Sequence, residues 1–372
     1  MTRSRVLHDI ACVVLGQGAI TMSRIQLGIF MPTTSGSLII SKGSPPQSAP
    51  TWELNRKVAQ MADDGGMDFL LAQVKWRGYG GETGHWDSAL EAFTLMSAVG
   101  AVTKDIKVIA SVAVRTMPPA VLAKMAATAY DICGDRFIVN VVAGWNKFEY
   151  AQMGLWSDDD FFLNRYEYAD EYLTILKRLW TEDRVDFDGK YFKLEDCVSD
   201  PKPSQLPEIV CAGQSPGALD FVSRQADYSF IGRMNDTAEQ LGEVAGKISA
   251  LAAEHDRSVK SLTLLTVITA PTDEEAMAKK QGFLDNRDED AINEWLRVSG
   301  FDKNRQDYQE LPPEVTTFMS VPYIVGSYQT IADHLDALAA NGVAGVCLSF
   351  PDFESDTPEF IENVMPLIKS RQ

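Results

Sequence analysis

A chain of 372 residues, 45% of them hydrophobic, can bury a large core and is too apolar to stay disordered. Its 34 Lys and Arg face 52 Asp and Glu, a net charge of −18 with no basic cluster to offset it. Such a field repels nucleic acid and anionic membrane surfaces, so neither is an expected partner.

The first 22 residues carry Thr2-Arg-Ser-Arg5 and then the apolar run Ile10-Ala-Cys-Val-Val-Leu-Gly16, a faint likeness to a signal peptide that Gln17 interrupts. They are read as a poorly ordered extension or an over-long start. No other segment reaches the ~18 apolar residues of a membrane span. From about residue 23, β-branched runs at 25–31, 68–74, 106–114, 137–143, 208–211, 228–231, 262–269 and 345–350 predict eight strands. Helical patterns lie between them, among them 52–62, 88–98, 120–132 and 238–254. In the last, Leu241, Val244, Ile248 and Leu251 recur on one face. Pro118 and Pro119 suit a helix start, and Ser327 is a plausible N-cap for 328–340, which Asn341-Gly342 ends.

This alternation predicts an α/β fold, a single (β/α)8 TIM barrel spanning 23–372. Two stretches break the rhythm. Residues 156–207 contain one helix (165–180), a hairpin (185–194) and a Pro-rich link, and residues 286–321 are polar with Pro312-Pro313. Insertions of this length are usually lids or binding segments. Barrels with this many apolar helix faces often pair, which leaves a homo-oligomer open.

The five cysteines (Cys12, Cys133, Cys197, Cys211, Cys347) are odd in number, widely spaced and lack a CxxC pair. That argues for a reducing, cytoplasmic compartment and against a disulfide frame. The histidines (His8, His85, His255, His334) do not pair at ligand spacing, and His255 and His334 read as exposed helix positions, so no metal site is expected. GxSxG, GxGxxG and GxxxxGKS are all missing, which removes the signatures of serine hydrolases and of the common nucleotide folds.

The remaining chemistry clusters at strand ends. Asn140 interrupts the buried run before Gly144, Trp145 and Glu149, and a buried amide without a partner costs about 1–3 kcal/mol. Core packing is the more common fate of a Trp such as Trp145. Lys75 and Arg77 read either as a solvated basic loop or as contacts to an anion or carbonyl beside a planar ligand. Arg165-Tyr166 reads as readily as surface helix. In Cys211-Ala-Gly-Gln-Ser-Pro216 a short strand ends at a glycine and Ser215-Pro216 opens a helix, a natural phosphate seat on a weak motif.

Trp52-Glu-Leu-Asn55, Lys75-Trp-Arg-Gly-Tyr-Gly-Gly81, Glu91-Ala-Phe-Thr-Leu-Met96, Ala143-Gly-Trp-Asn-Lys-Phe-Glu-Tyr150, Cys211-Ala-Gly-Gln-Ser215 and Val325-Gly-Ser327 carry a resemblance. From about Ser23 to its C-terminus the chain resembles the bacterial luciferase-like flavin monooxygenases, in particular those acting on pyrimidines. The resemblance implies a two-component enzyme that takes reduced FMN from a separate NAD(P)H-dependent flavin reductase. With O2 it would oxygenate and cleave a small carbonyl-containing heterocycle, a pyrimidine such as uracil or thymine. The same chemistry on a sulfone or halogenated aromatic stays open, as does a flavin- or deazaflavin-dependent dehydrogenase on the same barrel. A non-catalytic flavin-binding protein is a third reading.

By position, the resemblance implies flavin contacts at Val74, Lys75, Asn140, Glu149, Arg165, Tyr166 and Ser215. It places an oxygen pocket at Ser111, Asn140 and Trp145. The chain departs from the family at Ser111 and Ala143 (each for threonine), at Trp76 (for an aliphatic residue), at Asn146 and Phe148, and in a shorter Ile231-Gly-Arg-Met-Asn235. These departures fall near the expected substrate side, and Ala143 is the position expected to decide the substrate.

Overall fold

The computed structural model describes residues 24–44, 50–144, 146–156, 160–300 and 310–372. The expectation for residues 1–22 therefore lies outside the described residues. The strands are β1 (Gln26–Phe30), β2 (Phe69–Ala72), β3 (Lys107–Ala113), β4 (Phe137–Val142), β5 (Val185–Asp188), β6 (Lys193–Cys197), β7 (Ile209–Ala212), β8 (Tyr228–Ile231), β9 (Lys260–Ala270), β10 (Tyr323–Ser327) and β11 (Gly345–Ser349). Strands β1, β2, β3, β4, β7, β8, β9 and β11 pair in that order, all parallel, and β11 returns to β1. The result is the closed eight-stranded barrel that the alternating pattern predicts.

The two-residue period of each strand sorts side chains between two cores. Phe69, Leu71, Ile109, Ile138, Val210, Tyr228, Leu262 and Cys347 form the core inside the barrel. Their neighbours Leu70, Val108, Ala110, Val139 and Val141 face outward into the larger core beneath the helices. Burial on both faces explains why these strands read as continuous apolar runs. Gly28 shows how tightly the interior is filled, since a Cβ there would lie 2.2 Å from the Phe69 ring.

The helices forming the outer layer have sequence-encoded starts. Thr51 caps Trp52–Asp64, Glu91 caps Ala92–Val102, Ser215 caps Pro216–Gln225, and Ser327 caps Tyr328–Ala340. Thr237 opens Ala238–Ala253 with a reciprocal capping box to Gln240. Residues 160–181 form one helix of 22 residues, five longer at its start than the sequence suggested, and β5 and β6 form the expected hairpin.

Three features differ from expectation. No strand is expected at β10, which lies between the insertion 286–321 and the helix that Ser327 caps. This strand pairs with the second half of β9, from Tyr323↔Thr266 to Ser327↔Ala270, and extends the sheet beyond the closed barrel. Residues 286–321 contain the helices Glu289–Val298 and Pro313–Thr317. The first packs Ala291, Ile292, Trp295 and Leu296 against Leu38, Ile40, Tyr79 and Trp86, so this polar stretch hides a small core of its own. His334 is half-buried rather than exposed, and burial lowers its pKa. No described helix is long and apolar enough to cross a membrane.

Candidate active site

At the C-terminal ends of the barrel strands the inward-facing residues stop filling the interior and leave a cleft of about 460 Å³. Phe30, Leu71, Val142, Phe230 and Leu264 give it apolar walls, and Val74 joins them from the loop after β2. Polar groups are few: Ser111, Asn140, Gln73, Gln214 and Ser320.

Ser111 and Asn140 are register partners on β3 and β4. The Asn140 amide nitrogen donates to Ser111 Oγ at 2.8 Å, while Asn140 Oδ1 is buried and accepts from no described residue. The serine hydroxyl can donate or accept, so either orientation of the amide leaves one end toward the cleft. The buried polar residue that stood out in the sequence thus has half a partner. Trp145 lies outside the described residues.

Lys75 and Glu149 are brought together, but with each other. They form a buried ion pair in which the Lys75 ammonium also lies 3.4 Å from the Tyr79 hydroxyl and 4.6 Å from the centre of its ring. Burial outweighs the carboxylate and pulls the Lys75 pKa below its ordinary value. Asn146, a departure from the family, both caps the helix Lys147–Gln152 through Phe148 N and donates to Glu149 at 3.0 Å. His85 stacks on Trp86 behind this pair, and full burial drives its pKa down to about 3, so it is neutral. The pair sits beside the cleft rather than lining it. Arg77 reaches toward Glu294 at 4.0 Å, away from the mouth. Ala143 is packed in the outer core and does not line the cleft, whereas its neighbour Val142 does.

Across the mouth, Arg165, Tyr166, Gly213 and Ser215 converge on the end of β7. Arg165 is half-buried, donates to the Phe162 carbonyl at 2.5 Å and stacks on Tyr166. Gly213 has φ +146°, and a Cβ there would lie 2.7 Å from the Tyr166 hydroxyl and 2.5 Å from Ala218. Ser215 caps the following helix through Ala218 N at 3.3 Å. A glycine approach, a helix N-terminus and a guanidinium form a donor set that fits a phosphorylated planar cofactor. The half-partnered amide of Asn140 fits a polar occupant near the centre of the cleft.

The sequence reading missed Gln73, Phe230 and Leu264, whereas Ser320 and Val321 close the insertion 286–321, expected to bind or cover a ligand. Gln73 carried the signal that exposed Asn140, a polar side chain on the inward period of an apolar strand, but sat at the edge of its run.

A second depression of about 440 Å³ lies outside the mouth, between the helices Asp273–Asp285 and Phe353–Asn363. It holds Asp356, whose carboxylate accepts from Asp352 N at 2.8 Å and is pushed up to about 6 by burial. Among the described residues no His, Cys, Asp and Glu are grouped so as to hold a metal ion.

The luciferase-like monooxygenase family model matches residues 25–345. The chain is 40% identical over 357 residues to the pyrimidine monooxygenase RutA of Acinetobacter baylyi, covering 94% of this chain and 96% of that protein. It is 41% identical to RutA of Caulobacter vibrioides, covering 94% and 99%. DmoA from Hyphomicrobium sulfonivorans shares the fold, with a TM-score of 0.79 at 23% identity and coverage of 94% and 89%. The chain belongs to the luciferase-like monooxygenase family and is a monooxygenase built on a closed (β/α)8 barrel.

Proposed function

We propose that this enzyme is a two-component flavin monooxygenase that uses reduced FMN and O2 to oxygenate and cleave a pyrimidine such as uracil or thymine. The observation that carries this reading is the Ser111–Asn140 pair, a neutral amide with one unpartnered end at an apolar barrel mouth. The relatives named pyrimidine monooxygenases support the substrate class.

When bound, reduced FMN supplies the electrons that activate oxygen. The chain's own residues do the rest. Ser215, Arg165 and the helix N-terminus beside Gly213 would hold the phosphate, and Tyr166 would support that corner. Val74 would contact the cofactor from the loop after β2. The Lys75–Glu149 pair fixes the loop that carries Val74, its two charges neutralising each other close to the cleft. Ser111 and Asn140 hold oxygen by hydrogen bonds, with the amide turned so that its carbonyl accepts from the Ser111 hydroxyl and its N–H faces the cleft. Phe30, Leu71, Val142, Phe230 and Leu264 exclude bulk water, which would otherwise divert the reduced cofactor into peroxide release. A separate NAD(P)H-dependent flavin reductase supplies the reduced FMN, as the likeness to two-component flavin monooxygenases implies.

The test is an oxygen electrode run with reduced FMN and uracil or thymine, with products read by mass under ¹⁸O2. One labelled oxygen atom per product is expected. Substrate oxidation without oxygen uptake would establish a dehydrogenase instead. Peroxide release with both rings left intact would remove the pyrimidine assignment.

A further inference from the structure

Of the cleft's polar side chains, Gln73, Gln214 and Ser320 are used neither by the oxygen pocket nor by the phosphate seat. Gln73 follows Phe69 and Leu71 in the inward period of β2, and it lines the mouth. Its amide is locked one way round. Nε2 donates to Thr34 Oγ1 at 3.0 Å, and the Thr34 hydroxyl donates to the Gly36 carbonyl at 3.3 Å. A threonine hydroxyl has one proton and a carbonyl can only accept, so Thr34 must receive the amide N–H of Gln73. The other end, Oε1, receives no hydrogen bond from any described residue.

Position separates this oxygen from the cofactor's phosphate. Gln214 is locked in the same sense, donating to the Gly232 carbonyl at 3.1 Å, but it adjoins Ser215 at the end of β7. Strand order places β2 and β7 three positions apart in a barrel of eight, so Gln73 stands across the mouth from the phosphate seat. Around it the walls are apolar, contributed by Phe30, Leu71 and Leu264. A fixed acceptor among apolar walls selects a flat ligand carrying a matching donor.

We infer that Gln73 is a specificity-determining residue, its Oε1 accepting a ring N–H of the substrate. The enzyme would then select cyclic amides and imides with an unsubstituted ring nitrogen, and would discriminate against sulfones and rings alkylated at every nitrogen, which lack that donor. The inference rests on the proposed function for the identity of the cleft, and it names the feature of the substrate that the cleft reads. A site built around an N–H discriminates against an analogue without it because the acceptor is left unpaired.

The test measures equilibrium binding of uracil and of its 1-methyl, 3-methyl and 1,3-dimethyl derivatives to the full chain loaded with FMN. Wild type is compared with Gln73→Met, close in size but without the acceptor, and with Gln73→Glu, which restores one. FMN affinity is followed in parallel by flavin fluorescence, because the flavin ring also carries an imide N–H. Wild type should prefer uracil to the dimethyl ring by about 10- to 100-fold. Gln73→Met should lose most of that preference by weakening uracil alone, with FMN affinity within about threefold, and Gln73→Glu should recover it.

Equal binding of uracil and its dimethyl derivative by wild type would overturn the assignment, as would failure to bind any of the four rings. A Gln73→Met defect confined to FMN would assign the acceptor to the cofactor and overturn it too. Oxygen uptake in the same mixtures reads the proposed function separately. Discrimination in binding without turnover leaves Gln73 assigned and removes the oxygenase reading of the substrate. Turnover without discrimination does the reverse.

Discussion

One barrel holds two polar clusters at opposite ends, and they are built differently. At the N-terminal end Lys107 opens β3, and its ammonium meets Glu208 at 2.5 Å and the Tyr228 hydroxyl at 3.3 Å, with that hydroxyl 3.4 Å from the same carboxylate. Nearby, Asp68 accepts from Leu27 N at 2.8 Å and pairs with both Arg24 and Arg371. Every charge in these groups has a counter-charge. Four residues further along β3, Ser111 and Asn140 form a neutral pair with one end left open. The closed cluster ties strand ends together at the wet base of the barrel. The open pair keeps the mouth polar at one point without placing a net charge in a cleft that must exclude water.

The contrast can be broken in several ways. The largest expected effect comes from Lys75, which is charged yet lies near the mouth. Lys75→Met strands the Glu149 carboxylate in a buried position and should lower unfolding free energy by about 3–5 kcal/mol, read by urea denaturation. A loss below about 1 kcal/mol would show that Asn146 alone can carry Glu149. Asn140→Ala should act in the opposite sense. Product formation is expected to fall at least about 100-fold, about 2.7 kcal/mol at the barrier, with FMN affinity within about tenfold and the denaturation midpoint little changed. Full product formation by that variant would remove the oxygen-positioning role.

Asp356 sharpens the comparison, being a half-buried carboxylate that has a backbone donor but, among the described residues, no salt-bridge partner. Its pKa is raised from 3.8 to about 6, so the folded state binds the proton more tightly and stability falls as pH rises through that window. Asp356→Asn should therefore stabilise the chain at pH 7.5 by about 1–2 kcal/mol, and the gain should vanish as pH approaches about 4. A gain independent of pH would point to packing rather than ionisation. The smallest effect is expected at the base. Lys107→Met should cost about 1 kcal/mol of stability, because the pair is partly solvated, and leave turnover unchanged.

The sequence revealed the barrel because strands buried on both faces leave long β-branched runs, and capping residues such as Ser215 and Ser327 mark helix starts. It could not reveal β10, whose five residues abut a cap and owe their strand form to pairing with β9. Asn140 was legible because a polar residue inside an apolar run is anomalous. Its partner Ser111 was reached through the family resemblance, since serine in a strand raises no local alarm. Ala143 illustrates the limit. The departure from the family was visible, but a shift of one residue along an alternating strand decides which side chain meets the cleft, and that residue is Val142.

The register Ser111↔Asn140 also bears on how the chain assembles. Slipping β4 by one residue against β3 would turn Asn140 outward into the helix layer and bring Val139 or Val141 to the mouth. The amide would then be stranded in hydrocarbon and the cleft would lose its central polar group together. A misaligned barrel would thus be unstable and inert at once, so catalytic competence doubles as a reporter of correct strand alignment, usable in refolding yields where spectroscopic signals of β content cannot tell one register from the next.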